Sequence, residues 1–143
     1  MPDLAAGVAP AVRISKEQVT EVLEAWGKNS LAGTAFARSL YIRQSLSRSG
    51  QDASEAIKAE LNRSLQRLSR EQRRTTADLF QTGQSVRNVA RGMGASESSV
   101  YRYRTAAIEQ LAEEWTQLEA KAWRNYRSLI EERAQMGSSP LFG

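Results

Sequence analysis

An all-α fold, a helical domain that closes on one long C-terminal helix, follows from three features of this sequence. The three prolines stand at positions 2, 10 and 140, so the interior is free of the residue that breaks helices. Val, Ile and Thr nowhere alternate with polar residues as a half-buried strand requires, and no hairpin signal occurs. Apolar residues instead recur three and four apart behind polar caps. At 143 residues the chain is about one domain long.

Residues 1–14 and 137–143 read as loose termini. Ser15 followed by Gln18 fits a capping box, and Val19, Val22, Leu23 and Trp26 form the apolar face of a first helix. Gly27 and Asn29 end it. A second amphipathic stretch runs from Leu31 to about Ser47 with Ala35, Phe36 and Leu40 inward, and Gly50 terminates it. Asp52 with Glu55 opens a third helix, whose Ile57, Leu61, Leu65 and Leu68 face a core. Ser69 with Gln72 opens a fourth, which runs to about Gln81 and stops at Gly83. These divisions give a helical region over 15–68, a second unit over 69–111 and a C-terminal helix over 112–136.

No helix breaker occurs from Glu97 to Met136. Ile108, Leu111, Trp115, Leu118, Ala122 and Leu129 keep a spacing near 3.5 residues, with Trp123, Tyr126 and Ile130 as a second stripe. A helix of ~40 residues is about 60 Å long, more than one small core needs. Either it bends back on the N-terminal helices, or it pairs with a partner or a second protomer as a homodimer.

Composition removes most chemistry. The chain has neither Cys nor His, so thiolate or imidazole metal sites, Cys nucleophiles and His bases are all absent. Neither a metal nor a cofactor is expected. Glu113–Glu114 and Glu131–Glu132 are adjacent pairs on different helix faces, which suits solvated charge and not a facing dyad. Gly92 and Gly94 form no phosphate loop, so an enzyme is not expected. No apolar run approaches the ~20 residues of a membrane span, and the first residues lack a signal peptide's basic and apolar regions. The expectation is a cytoplasmic protein that does not engage membranes. Sixteen of its twenty cations are Arg, the side chain best suited to phosphate and base edges.

Residues 83–111 carry the most information. Ser85 caps a helix with Val86, Val89, Ala90 and Met93 inward, and Gly94 stands where a left-handed residue ends it. Ser96 caps the next, whose inward positions are Val100, Tyr103, Ala107 and Leu111. Small Ala90 allows close approach, and the Gly94–Ala95–Ser96 link forces a steep crossing. This is helix-turn-helix geometry, in which the second helix enters the major groove of duplex DNA. Helical phase then turns Glu97, Ser98, Tyr101, Arg102 and Thr105 outward as candidate base readers. Arg102 suits guanine and Glu97 suits cytosine. Gln84, Ser85, Arg87, Arg91, Ser99, Arg104, Arg73 and Arg74 are candidate phosphate contacts. Residues 85–105 hold four Arg and one Glu, a net of +3, whereas 106–136 hold six Glu and four cations, a net of −2.

The run S-V-x-x-V-A-x-x-M-G, then A-S-x-x-S-V-x-x-Y, then A-I-x-x-L, resembles region four of primary sigma factors and the related LuxR-type activator domains. The resemblance extends back through LSREQRRTTADLFQTG and covers about residues 68–111. It implies DNA recognition by the second helix. The recognition positions depart from the sigma pattern, with Glu97, Ser98, Ser99, Tyr101 and Arg102 after the cap, so no promoter preference is carried over. Tyr103 replaces the usual aliphatic residue. In length and order the chain also resembles one class of phage Q antiterminators, with Trp26–Gly27 at a helix end, an Arg-rich middle and a trailing helix. That resemblance implies a late-gene antitermination factor that binds promoter-proximal DNA and acts on bacterial RNA polymerase. Two other functions fit the motif. One is a conventional dimeric repressor or activator; the other is a phage small terminase subunit, which usually places its DNA module first.

Overall fold

In the computed structural model, which describes residues 13–49 and 53–137, seven α-helices and no strand occur among the described residues. The first, α1 (Lys16–Gly27), starts on a reciprocal cap. Ser15 Oγ accepts from the Gln18 amide at 3.1 Å, and Gln18 Oε1 accepts from the Ser15 amide at 2.9 Å. Val19, Val22 and Leu23 form its buried face. The chain leaves α1 through Asn29, which takes the left-handed conformation with φ 59°. Gly27 is glycine for a different reason: a Cβ there would lie 2.0 Å from the Phe80 carbonyl oxygen.

The stretch expected as one helix from Leu31 is divided. A 3-10 turn (Leu31–Gly33) leads into α2 (Ala35–Arg38), and after a break at Ser39 the chain resumes as α3 (Leu40–Ser49). Ser39 is extended, with ψ 148°. The break is held from far along the chain. The Glu119 carboxylate accepts from the Leu40 amide at 2.7 Å and the Tyr41 amide at 3.1 Å, which satisfies two orphan donors of the new helix and opposes its positive dipole end. Glu119 is only 4% exposed. The expected stop at Gly50 and start at Asp52 lie outside the described residues.

Helix α4 (Ala53–Gln66) buries Ile57, Leu61 and Leu65 as its periodicity requires. It also buries Glu60, whose carboxylate accepts from the Tyr41 hydroxyl at 2.7 Å and pairs with Arg63. Burial, reinforced by the bond to Glu60, raises the Tyr41 phenol above its ordinary range. The same carboxylate raises Arg63. Ser69 and Gln72 cap α5 (Arg70–Thr76), which continues as a wider π turn over Ala77–Gln81. Helices α6 (Val86–Met93) and α7 (Glu97–Gly137) complete the chain.

Helix α7 is the spine. Helices α1, α3, α5 and α6 all pack along it. Its Ala107, Ile108, Leu111, Ala112 and Trp115 close a core with Val19, Leu23, Ile42, Ile57 and Leu61. Trp115 stacks on Phe36 with 4.5 Å between ring centroids and donates its Nε1–H to Ser64 Oγ at 3.0 Å. Beyond Ala122 the seam ends. Leu129, Tyr126 and Ile130 are exposed, so the stripes read in the sequence continue without a covering element among the described residues. The N-terminal helices wrap the helix instead of the helix bending back on them. At the other end Ile14, read as part of a loose terminus, is buried, and its amide donates to Thr116 Oγ1 at 2.9 Å.

Candidate nucleic-acid interface

Helices α6 and the start of α7 share a small core of their own, with Val89, Ala90 and Val100 buried and Leu79, Val86 and Met93 around them. Ser85 Oγ accepts from the Asn88 amide at 3.1 Å and starts α6. Gly94 ends it in the left-handed conformation, φ 65° and ψ 34°, while the Ala95 amide reaches back to the Ala90 carbonyl at 2.9 Å. Ser96 Oγ then accepts from the Ser99 amide at 3.1 Å to start α7. A Cβ at Gly94 meets nothing within 4 Å, so only its φ demands glycine. Gly94→Val is therefore expected to cost about 1–2 kcal/mol, the penalty of a left-handed L-residue, with Gly94→Asn close to wild type. Chemical denaturation of both variants checks this.

Glu97, Ser98, Tyr101, Arg102 and Thr105 are all exposed, Tyr101 by 55%. Arg102 donates to Ser99 Oγ at 2.9 Å, and Ser99 Oγ in turn lies 3.0 Å from Ser96 Oγ. Arg87 Nε stands 3.8 Å from Glu97 Oε2, which ties the start of α6 to the first turn of α7. Gln84 and Ser85 belong to this same end of α6. Its side chains are Gln84, hydrogen-bonded to Thr82 Oγ1 at 3.2 Å, and the capping Ser85. Arg91 is exposed on the last turn of α6.

The remaining arginines are engaged by the protein itself. Arg74 donates to the Gly92 carbonyl at 3.1 Å and faces Asp78 at 3.5 Å, so it pins α5 to the end of α6. Arg73 donates to Gln66 Oε1 at 3.1 Å. The Arg104 guanidinium lies over the Phe80 ring, 5.5 Å from its centroid. Arg67, on the helical middle, pairs with Glu114 at 3.2 Å. Helix α1 adds an electrostatic feature of its own beside α7. Glu17, Glu21 and Glu24 of α1 form one wall of a groove whose other wall holds Arg104, Thr105 and Ile108. Their i, i+4, i+7 spacing is legible, but the side they face depends on how α1 docks. A phosphate backbone approaching Thr105 meets Glu17 and Glu24 there, offset in part by Lys16, while Glu21 accepts from the Ala35 amide at 3.2 Å; Ser98, Tyr101 and Arg102 lie nearer the N-terminal end of α7.

Among the described residues no cluster of three His, Cys, Asp or Glu could hold a metal, and no helix is long and apolar enough to cross a membrane. No family model, curated protein or solved structure matches this chain.

Proposed function

We propose that the protein binds duplex DNA sequence-specifically through α6 and the first two turns of α7, and that it regulates transcription. The observation that carries this reading is the left-handed Gly94 turn. It crosses two capped helices over a Val89–Ala90–Val100 core while Ser98, Tyr101 and Arg102 remain outward. Net charge supports it, since residues 85–105 carry +3 from four Arg and one Glu. Arg102 reads a base edge, and Arg87 and Ser85 hold phosphates at the start of α6.

Selection from a pool of random duplexes, followed by titration of the selected site, tests the proposal. Arg102→Ala is expected to weaken binding by about 1–3 kcal/mol and to relax preference at one base pair. Arg87→Ala is expected to weaken all duplexes alike and to lower the slope of log affinity against log salt by about one. Equal affinity of wild type for selected and random DNA defeats the reading. The finer proposal is action on RNA polymerase, for which the α1–α4 body supplies surface outside 85–105. Its test is transcription in vitro across a terminator. Increased read-through supports it, and a block of initiation alone leaves a plain operator binder.

A further inference from the structure

We propose that two copies of this chain pair antiparallel through the end of α7, seating Tyr126, Leu129, Ile130 and Met136 of each on the other. The inference does not depend on DNA binding. Helical phase supplies its first ground. Ala112, Trp115, Glu119 and Ala122, alternately three and four apart, form a buried line on α7. The same spacing continues through Tyr126, Leu129, Arg133 and Met136, with Ile130 beside them. One face thus runs from the core into the open. Past Ala122 its apolar members are exposed, Tyr126 by 39%, Leu129 by 53%, Ile130 by 48% and Met136 by 66%. That leaves roughly 400 Å² of apolar surface in one stripe, a size at which a monomer's largest patch is often functional.

The direction of the partner follows from that phase. Helices α1 and α3 pack on this same face nearer the start of α7, against Trp115, Glu119 and Ala122. A second α7 laid parallel on the stripe would run through them. Laid antiparallel, it carries its own body past Gly137, clear of both helices. The rows agree with this. Tyr126, Leu129, Arg133 and Met136 step by three, four and three, the same in either direction. A second copy turned end for end therefore matches every row, with Tyr126 level with the partner's Met136 and Leu129 with the partner's Arg133. Charge agrees as well. Arg133 then lies within one turn of the partner's Glu132, whereas a parallel pair sets the two Arg133 side chains against each other. The partner's Met136 also arrives beside the groove between Gln44, Ser47, Asn125 and Leu129. With their polar rims, the two stripes bury about 1,200 Å², the lower limit for a specific pair.

The two-fold axis falls near Glu131, and the starts of the two α7 helices point apart. From Tyr101 to Glu131 is about 45 Å of helix, so the two Tyr101 residues stand ~90 Å apart. Resting on the DNA reading above, this spacing makes one dimer engage two separate duplex sites instead of half-sites one helical turn apart.

Sedimentation equilibrium without DNA reads the association. The weight-average mass is expected to rise from 15.9 kDa toward twice that value between about 5 and 500 μM. Ile130 and its copy meet beside the axis, so Ile130→Glu is expected to weaken association at least ~10-fold. The residue is exposed, and an unchanged circular dichroism spectrum checks that the variant folds. Arg127→Gln, the same change of charge on the opposite face, is expected to leave association unchanged. The chain has no cysteine, so Gln117→Cys and Glu113→Cys each give one nitroxide site at an exposed position. Double electron–electron resonance is expected to find the two Gln117→Cys labels about 40–45 Å apart and the Glu113→Cys labels ~12 Å farther. Equal distances from both sites mean a parallel pair and overturn the proposal. Association untouched by Ile130→Glu overturns it, and so does a chain that stays monomeric, as it does where a different protein is the occupant.

Discussion

Glu119→Ala is expected to lower the unfolding free energy by about 3–5 kcal/mol, the range for removing one partner of a buried charge interaction. The variant leaves the Leu40 and Tyr41 amides, now bound at 2.7 and 3.1 Å, without an acceptor at a helix start. Each unmet buried donor costs about 1–3 kcal/mol. At this chain length the loss corresponds to roughly 10–15 °C in melting temperature. Glu119→Gln keeps one acceptor but turns an amide donor toward a second N–H, so an intermediate loss is expected. Glu113→Ala, two turns earlier and exposed, is the control and is expected within ~0.5 kcal/mol of wild type. Thermal and urea unfolding of the three variants decide it. An unchanged Glu119→Ala protein would mean that the Ser39 break is held by something else.

Gly27→Ala is expected to destabilise by about 3 kcal/mol, the upper part of the range for overpacking. The sign is what makes the test informative. Alanine in place of a helical glycine ordinarily stabilises by about 0.5–1 kcal/mol, yet here the new Cβ would sit 2.0 Å from the Phe80 carbonyl oxygen and 3.1 Å from its carbon. Backbone cannot rotate aside as a side chain can, so α1 and the π turn must separate. Phe80 also carries the Arg104 guanidinium, and the shift is expected to loosen α7 where the groove begins. Gly33→Ala, where a Cβ meets nothing within 4 Å, is expected to be neutral or slightly stabilising. Urea titrations of both variants check the contrast.

The elements legible in the sequence are those set by neighbours a few residues away. Ser15 with Gln18, Ser69 with Gln72, Ser85 and Gly94 each act within one helical turn, and each does in the structure what its spacing implies. The exposure of Ser98, Tyr101 and Arg102 follows from phase against Val100 and Ala107 alone. The break at Ser39 was not legible, because its acceptor is Glu119, 79 residues from Leu40. Glu60 was not legible as a buried group, since its shelter depends on Tyr41 and Arg63 meeting it. Thr75 and Thr76, polar by type, are fully buried on α5. Their hydroxyls reach Met93 Sδ and the Gln72 carbonyl, one of them a partner on another helix. Gly27 carried the right residue for a reason that only the docked α1 reveals.

The place of α7 after the helices it closes has a consequence for how the protein is made. Val19, Leu23, Ile57 and Leu61 find their missing wall in Ile108, Leu111 and Trp115, so a nascent chain that has reached Gln66 has formed helices with nothing to close them. Ile14 waits for Thr116, and Leu40 for Glu119, across 102 and 79 residues. At ~5–20 residues per second the ribosome needs roughly 3–10 s to pass from Gln66 to Trp115. During that interval the apolar faces of α1 and α4 are open to holdase chaperones. Core formation is thus a late event that waits for residues 107–115 to leave the ribosome, and a truncation before Ala107 leaves α1 to α4 without a core to fold around.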